Sequence, residues 1–457
     1  MPFLVIVLIA LKALLFAIDD TVRIYLGDSA AYLYGARDDG QLPDDRSFTY
    51  SFIIRGLVSP FGSLHELVEW QSLAGAAIAL LLYVVLVRRF AVPRGLAFAS
   101  ACLLALEPAQ LYYERMVLAE TVGLLAFVAF FAAGSAYLAS GRWQWLPTAA
   151  LLGLAAVTLR LNYLPIVLVI SILLPLLRAF DGERSSARTA VRDLTIALVS
   201  VVLLHGNYCY WVSQIFSAPP GYLGRAGFMQ LGLVLPLVRS EHFAAVGIPA
   251  DLERQLDYPL DDPHARMPHL WAPGGLIAAM RARNLDVDRL SRQLSRLAVS
   301  DDPFGLVRIG VVTVGDYFRP DEIEHALHND LGRREIPYDV IWSLREHWGY
   351  DARGLETRVT AVSRYFEWGT GWLVVCLFAL PVLSTVNLVM HWSTPYRVHA
   401  LLAALFGVGL VLAHLLFVPV ALYRYLHPLP FFVLVNTMPV IARARGGAVA
   451  RRQHPRG

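Results

Sequence analysis

Long apolar runs alternate with short polar breaks along most of this chain. Runs long enough to approach the roughly 20 residues of a membrane helix fall at 2–18, 65–88, 94–112, 117–140, 146–159, 163–179, 193–214, 367–390, 398–420 and 428–442, ten in all. A backbone crossing lipid must satisfy its own hydrogen bonds within each segment. The pattern therefore predicts an all-α integral membrane protein with about ten transmembrane helices. The first run has neither a basic start nor a small-x-small cleavage site and ends in Asp19-Asp20, so it reads as an uncleaved first span and not as a signal peptide.

Two polar interruptions are long. One is the loop 19–64; the other, 216–365, holds 150 residues. The second contains Pro219-Pro220-Gly221, short helical patterns such as 276–298, and an apolar run at 303–318. That run is too short and too interrupted for a span and reads as an interfacial helix. No fixed-period repeat is apparent. The organisation predicted is a membrane module at 1–215 with the first loop inside it, an α-rich loop domain at 216–365, further membrane helices at 366–442, and a basic tail at 443–457. The stretch 181–193 reads as a short polar loop.

Composition agrees. The chain is 56% hydrophobic and 16% charged, with mean hydropathy +0.52, where soluble domains are about half apolar and a quarter charged. Disorder, collagen-like repeats and a small disulfide scaffold are excluded. The net charge of +3 gives no reason to expect nucleic acid. Cys102, Cys209 and Cys376 lie in apolar runs and read as free, buried thiols. Lys12 is the only lysine, and with heavy use of Ala, Leu and Gly this reads as a GC-rich, bacterial coding sequence.

Charge placement gives orientation. Arg88, Arg89, Arg94, Arg142, Arg178, Arg184, Arg188, Arg192 and Arg397, with Arg443, Arg445, Arg451, Arg452 and Arg456 of the tail, fall on one side with few acids. The first loop carries four arginines but seven aspartates. The positive-inside rule then puts both termini in the cytoplasm and both large loops outside.

The polar residues near the outer ends of the spans are the candidate chemistry. In the first loop, Asp28 and Tyr32 share one face of a helical pattern beginning after Gly27, where Asp28 is equally suited to cap that helix. Glu120 opens an apolar helix, a position that suits the helix dipole but is costly near hydrocarbon unless it lines a polar cavity. Glu114-Arg115 reads as an interfacial ion pair. Arg160 and Arg424 sit between apolar runs. They are suited to snorkelling or, through planar donor sets, to phosphate. Other matches are weak. His65-Glu66-Leu67-Val68-Glu69 lacks the second histidine of a zincin, His205 and His414 read as packing residues, and Gly221, Gly224 and Gly227 follow no strand. No zinc-like spacing appears.

The order of these motifs resembles the GT-C glycosyltransferases, in particular the bacterial group related to protein O-mannosyltransferases and the lipid A aminoarabinose transferase. The resemblance rests on Asp28 with Tyr32, on Arg46 before Ser47-Phe48-Thr49-Tyr50, on Gln71-Ser72, on Leu106-Glu107-Pro108 through Glu120-Thr121, on Arg160, and on Arg424-Tyr425 with Pro428. It covers most of 1–180 and 395–435, and 216–365 only loosely, around Asp302-Pro303. It implies a GT-C fold in the bacterial cytoplasmic membrane. It also implies inverting transfer of a sugar from a polyprenyl-phosphate donor to an acceptor hydroxyl on a lipid, glycan or protein at the outer face. Asp28 would be the base and Glu120 a second acid, with Tyr32, Arg46, Arg160, Arg424 and Tyr425 binding substrate. Some relatives carry a second acid beside the first; here Ser29 stands there, and Asp19-Asp20 is the alternative acid pair. No cofactor is expected, since no clear motif supports a divalent cation. The competing readings are a polysaccharide polymerase or ligase and a transporter or flippase. The first would place its catalytic arginines and histidine in the late outer loop, and the second would show broken spans repeated in two halves.

Overall fold

The computed structural model describes residues 1–58, 62–180, 186–249 and 251–453, with side chains to 445. Arg184 and Arg456 lie outside the described residues, and Arg451 and Arg452 outside the described side chains. Among the described residues the chain is all α-helical, with one isolated parallel bridge between Arg23 and Met116 and no β-sheet. Among the described residues five helices are long and apolar enough to cross a membrane: Leu64–Arg89, Glu120–Ser140, Leu161–Phe180, Ala361–His391 and Arg397–Phe417. Pro2–Ile18, Arg94–Ala105 and Trp145–Leu159 are shorter apolar helices packed with them. Ala187–Phe216, with 30 residues, is about 45 Å long. It leaves Val191, Leu198, Val199, Val202 and Leu203 exposed on its outer face.

Each expected apolar run lies on helix, with one correction. The run 94–112 is not continuous: it divides into Arg94–Ala105 and Pro108–Tyr113. Pro108 has no amide hydrogen and clashes with a preceding helical turn, so the chain restarts there. Glu107 caps the new helix by accepting from the Gln110 amide at 2.7 Å. The segment 216–365 forms short helices: its first part packs around a second core built on Phe228, Leu231, Phe243, Met280 and Leu294, whereas Tyr317, Ala326, Leu331, Leu344 and Trp348 of its later part join the main core of the bundle. The run 303–318 is helix Gly305–Gly315 followed by a short turn. It packs on Arg397–Phe417, with Gly310 against the Leu415 carbonyl, and leaves Phe304, Val307, Val311 and Phe318 exposed.

The two large loops lie together at one end of the bundle. Arg225 bonds Asp44 at 2.7 Å, Tyr350 donates to the Val22 carbonyl at 2.8 Å, and Arg23 donates to the Arg358 carbonyl at 2.8 Å. At the opposite end Tyr137 donates to Asp193 at 2.8 Å and Arg397 donates to the Phe180 carbonyl at 3.3 Å.

Lys12 is buried in the first helix and donates to Glu114 at 2.6 Å and to the Ala105 carbonyl at 2.8 Å. Glu114 therefore pairs with Lys12, and the expected Glu114-Arg115 pair does not form. Arg115 instead donates to the carbonyls of Asp19, Leu111 and Leu15. Gly75 is required at this point, since a Cβ there would sit 1.8 Å from the Glu114 carboxyl oxygen. Breaking a buried pair by removing one partner strands the other charge and costs about 3–5 kcal/mol, whereas replacing both is nearly neutral. Lys12→Met is expected to lower the thermal midpoint of the detergent-solubilised protein sharply, and adding Glu114→Gln to recover most of the loss. Equal destabilisation by the single and double variants would show that the pair does not carry this contact.

Candidate active site at the loop end of the bundle

Three interruptions in the helices bring polar side chains to one place. In the first loop, Gly27 takes φ +92°, a left-handed value that favours glycine, and the chain then enters helix Asp28–Ala36. Asp28 is the first helical residue, so Gly27 is the cap and the Asp28 carboxyl is free to face away from its own helix. The helix is anchored by Ser29, whose hydroxyl donates to the Val117 carbonyl at 2.8 Å. At the second interruption, Trp145–Leu159 ends, Arg160 is extended at φ −142°, and a short turn leads into the next helix. Gly123 on the facing helix makes room, because a Cβ there would meet the Arg160 side chain at 2.8 Å. At the third, residues 418–428 join two apolar helices, with Tyr423–Tyr425 as a tight turn carrying Arg424.

Asp28 is the centre of the arrangement. One carboxyl oxygen accepts from Arg46 at 2.6 Å and the other from Arg424 at 2.7 Å. Arg46 also forks onto Asp45, with both bonds at 2.9 Å. Glu120 is 3% exposed and accepts a hydrogen bond from Arg160. Arg424 lies 3.9 Å from Glu120, so the Asp28 and Glu120 pairs form one cluster. The Arg160 and Arg424 guanidiniums lie 5.5 and 5.2 Å from the Tyr425 ring, and Arg424 is 4.3 Å from the Tyr25 ring. Such stacking holds a cation in place while leaving N–H groups directed elsewhere. The loop domain also reaches the site, where Trp271 lies 6.0 Å from the Arg46 guanidinium.

The seven residues expected at a site fall in this cluster or beside it. Tyr32 is buried one turn after Asp28 and packs edge-on against Tyr50 at 5.1 Å. Asp19 and Asp20 do not join it. Asp19 accepts from the Thr21 amide at 3.1 Å and faces Arg115, while Asp20 faces His65 at 3.8 Å. His205 bonds Tyr222 at 2.7 Å, and His414 packs on Tyr317. Among the described residues no group of three or more His, Cys, Asp or Glu is arranged to hold a metal ion.

Burial pushes the Asp28 carboxyl up, but the Arg424 and Arg46 guanidiniums outweigh it and hold it below the usual carboxylate range. In the free protein Asp28 is therefore an ionised, clamped carboxylate and a weak base. Burial pushes the Tyr25 and Tyr32 hydroxyls up, so both remain neutral donors. One further residue belongs here. Asp330, at the end of helix Pro320–Asp330 in the loop domain, is fully buried and accepts from the Tyr423 amide at 2.6 Å. It is one of several acids in a polar helix, and nothing in the local pattern singles it out.

The fold and site together define an all-α protein with several long apolar helices, an extensive helical loop domain, and an arginine–carboxylate cluster where the two meet. No family model matches the chain, and no curated protein matches it.

A group whose folded pKa is depressed stabilises the fold above its unfolded pKa, and that contribution is lost as pH falls through the folded value. The unfolded value for Asp is about 3.9. The thermal midpoint is therefore expected to fall as pH drops below about 4, and Asp28→Asn to flatten that dependence while lowering the neutral-pH midpoint. An unchanged acid limb in Asp28→Asn would mean that Asp28 is not held by the arginines.

Proposed function

We propose that the chain is a GT-C-type membrane glycosyltransferase that transfers a sugar from a polyprenyl-phosphate donor to an acceptor hydroxyl, with inversion. On this reading the protein crosses the bacterial cytoplasmic membrane about ten times, both termini are cytoplasmic, and the cluster faces outward. The observation that carries the reading is the contact of Asp28 with Arg46 and Arg424, beside Glu120 with Arg160. An outer-loop carboxylate and arginines suited to phosphate meet at one point, as the resemblance requires.

The chemistry follows from the pairing. A donor phosphate competes with Asp28 and Glu120 for the N–H groups of Arg424 and Arg160, since guanidinium binds phosphate and carboxylate with the same fork geometry. As Arg424 turns to phosphate, Asp28 loses one of the two guanidiniums that clamp it and regains basicity. The acceptor oxygen then forms its bond to the anomeric carbon from the face opposite the phosphate. The anomeric carbon–oxygen bond breaks with its electron pair going to the phosphate, and the hydroxyl proton passes to Asp28. Charge growing on the leaving phosphate is stabilised by arginines already held in place by Tyr25 and Tyr425. Glu120 orients Arg160.

The test is sugar transfer by purified protein with cell-envelope lipid donors and mass-spectrometric detection of product. Asp28→Asn is expected to lower turnover by a factor of at least about 10² while donor binding persists. Arg424→Ala is expected to weaken donor binding. Full turnover by Asp28→Asn would remove Asp28 from the reaction, and unchanged donor affinity in Arg424→Ala would remove the phosphate role.

A further inference from the structure

Asp330 occupies a position that helix formation and burial both disfavour. It is the last residue of Pro320–Asp330, where the negative end of the helix dipole repels a carboxylate. It is fully buried, and its Oδ1 has no hydrogen-bond partner among the described residues. A buried carboxyl with an unmet oxygen is costly unless its other contacts compensate. Those contacts lead to the turn that carries Arg424. Oδ2 accepts from the Tyr423 amide at 2.6 Å. The same part of the loop domain grips the turn a second time, because the Tyr317 hydroxyl donates to the Leu422 carbonyl at 2.9 Å and its ring lies 5.7 Å from that of Tyr423.

We propose that Asp330 is a positioning residue through which the loop domain fixes the Tyr423–Tyr425 turn, and so sets how strongly Arg424 binds a phosphodiester at the Asp28 cluster. The phosphodiester part rests on the transferase reading; the fixing of the turn does not. Asp330 acts at two levels. Its bond to the Tyr423 amide orders the turn, and its charge, when present, competes with an incoming phosphodiester for the field of Arg424.

Burial pushes the Asp330 carboxyl up to about 7, against the opposing pull of Arg424 and of the turn amides. The charged groups facing it are Arg424 of the turn and Glu120 of the neighbouring apolar helix. The tyrosines that sense it are Tyr25 from the first loop, Tyr112 and Tyr113 from helix Pro108–Tyr113, Tyr317 from its own domain and Tyr423 from the turn. Tyrosine titrates near 10 in water, and burial pushes Tyr25 and Tyr317 higher. Neutral below its midpoint and ionised above it, Asp330 makes phosphodiester affinity fall as pH rises through about 7.

The experiment uses the full-length protein in nanodiscs and polyprenyl phosphate methyl ester, a diester whose single charge does not change between about pH 5 and 9. Binding is titrated across that range for wild type, Asp330→Asn and Asp330→Ala, and amide exchange is followed in peptides covering 418–428. The wild type is expected to bind severalfold more tightly at the acid end. Asp330→Asn, which keeps an acceptor without charge, is expected to bind with the acid-end affinity at every pH. Asp330→Ala is expected to lose about tenfold or more and to exchange faster at 418–428 than elsewhere. Wild-type affinity and pH profile in both variants would overturn the proposal. If the wild type binds no diester, the transferase reading falls, and the exchange data alone decide. Faster exchange confined to 418–428 in Asp330→Ala would uphold the positioning role, and unchanged exchange there would reject it.

Discussion

Burial pushes the Asp28 carboxyl up, and two guanidiniums outweigh it and hold it below the usual carboxylate range. Arg46 comes from 18 residues further along the same loop, whereas Arg424 comes from 396 residues away. That second bond ties the first large loop to the turn between the last two apolar helices. The remaining parts of the cluster are arranged around it. Glu120 and Arg160 pair beside it, Tyr25 and Tyr425 support Arg424, and Asp330 holds the turn. Removing a carboxylate from such an arrangement strands positive charge, and removing an arginine strands negative charge.

The same constraint makes the site responsive. Arginine and carboxylate satisfy one another in the free protein, so Asp28 is a weak base while it is clamped. On the proposed transferase reading, a phosphate that draws Arg424 from Asp28 and Arg160 from Glu120 would supply the leaving-group contact and loosen the clamp on the base in one event. The surrounding structure can support that exchange because each side chain projects from a break in helical structure with its own anchor. Ser29 bonds the Val117 carbonyl, Gly123 lets Arg160 pass, and Tyr317 and Asp330 grip 422–423.

Hydrophobic periodicity made the helices legible, since apolar runs of membrane length have little alternative to a helix. It failed at 94–112 because composition there is apolar throughout while Pro108 and the capping Glu107 divide the run. The site was legible as separate motifs and not as a cluster. Arg160 and Arg424 stand out because each interrupts apolar sequence, and Asp28 because it shares a helical face with Tyr32, but no spacing tells which acid meets which arginine. The pairing of Glu114 with Lys12 and not with adjacent Arg115 has the same origin: in the turn after helix Pro108–Tyr113 Arg115 donates to the carbonyls of Asp19, Leu111 and Leu15, and packing of the first helix brings Lys12 to Glu114. Asp330 leaves no sequence signal because its surroundings, among them the Tyr423 turn, come from distant parts of the chain.

The central claim is that the Asp28 cluster holds a lipid phosphate, and site-resolved photocrosslinking addresses it most directly. A polyprenyl phosphate carrying a photoreactive group on the first isoprene unit would be incorporated with the full-length protein in nanodiscs, irradiated, and mapped by peptide mass spectrometry. The account predicts labels concentrated in the segments around Arg160 and Arg424, lost when unlabelled polyprenyl phosphate is added in excess. Competable labelling confined to the opposite end of the bundle, around Arg178 and Arg397, would contradict it.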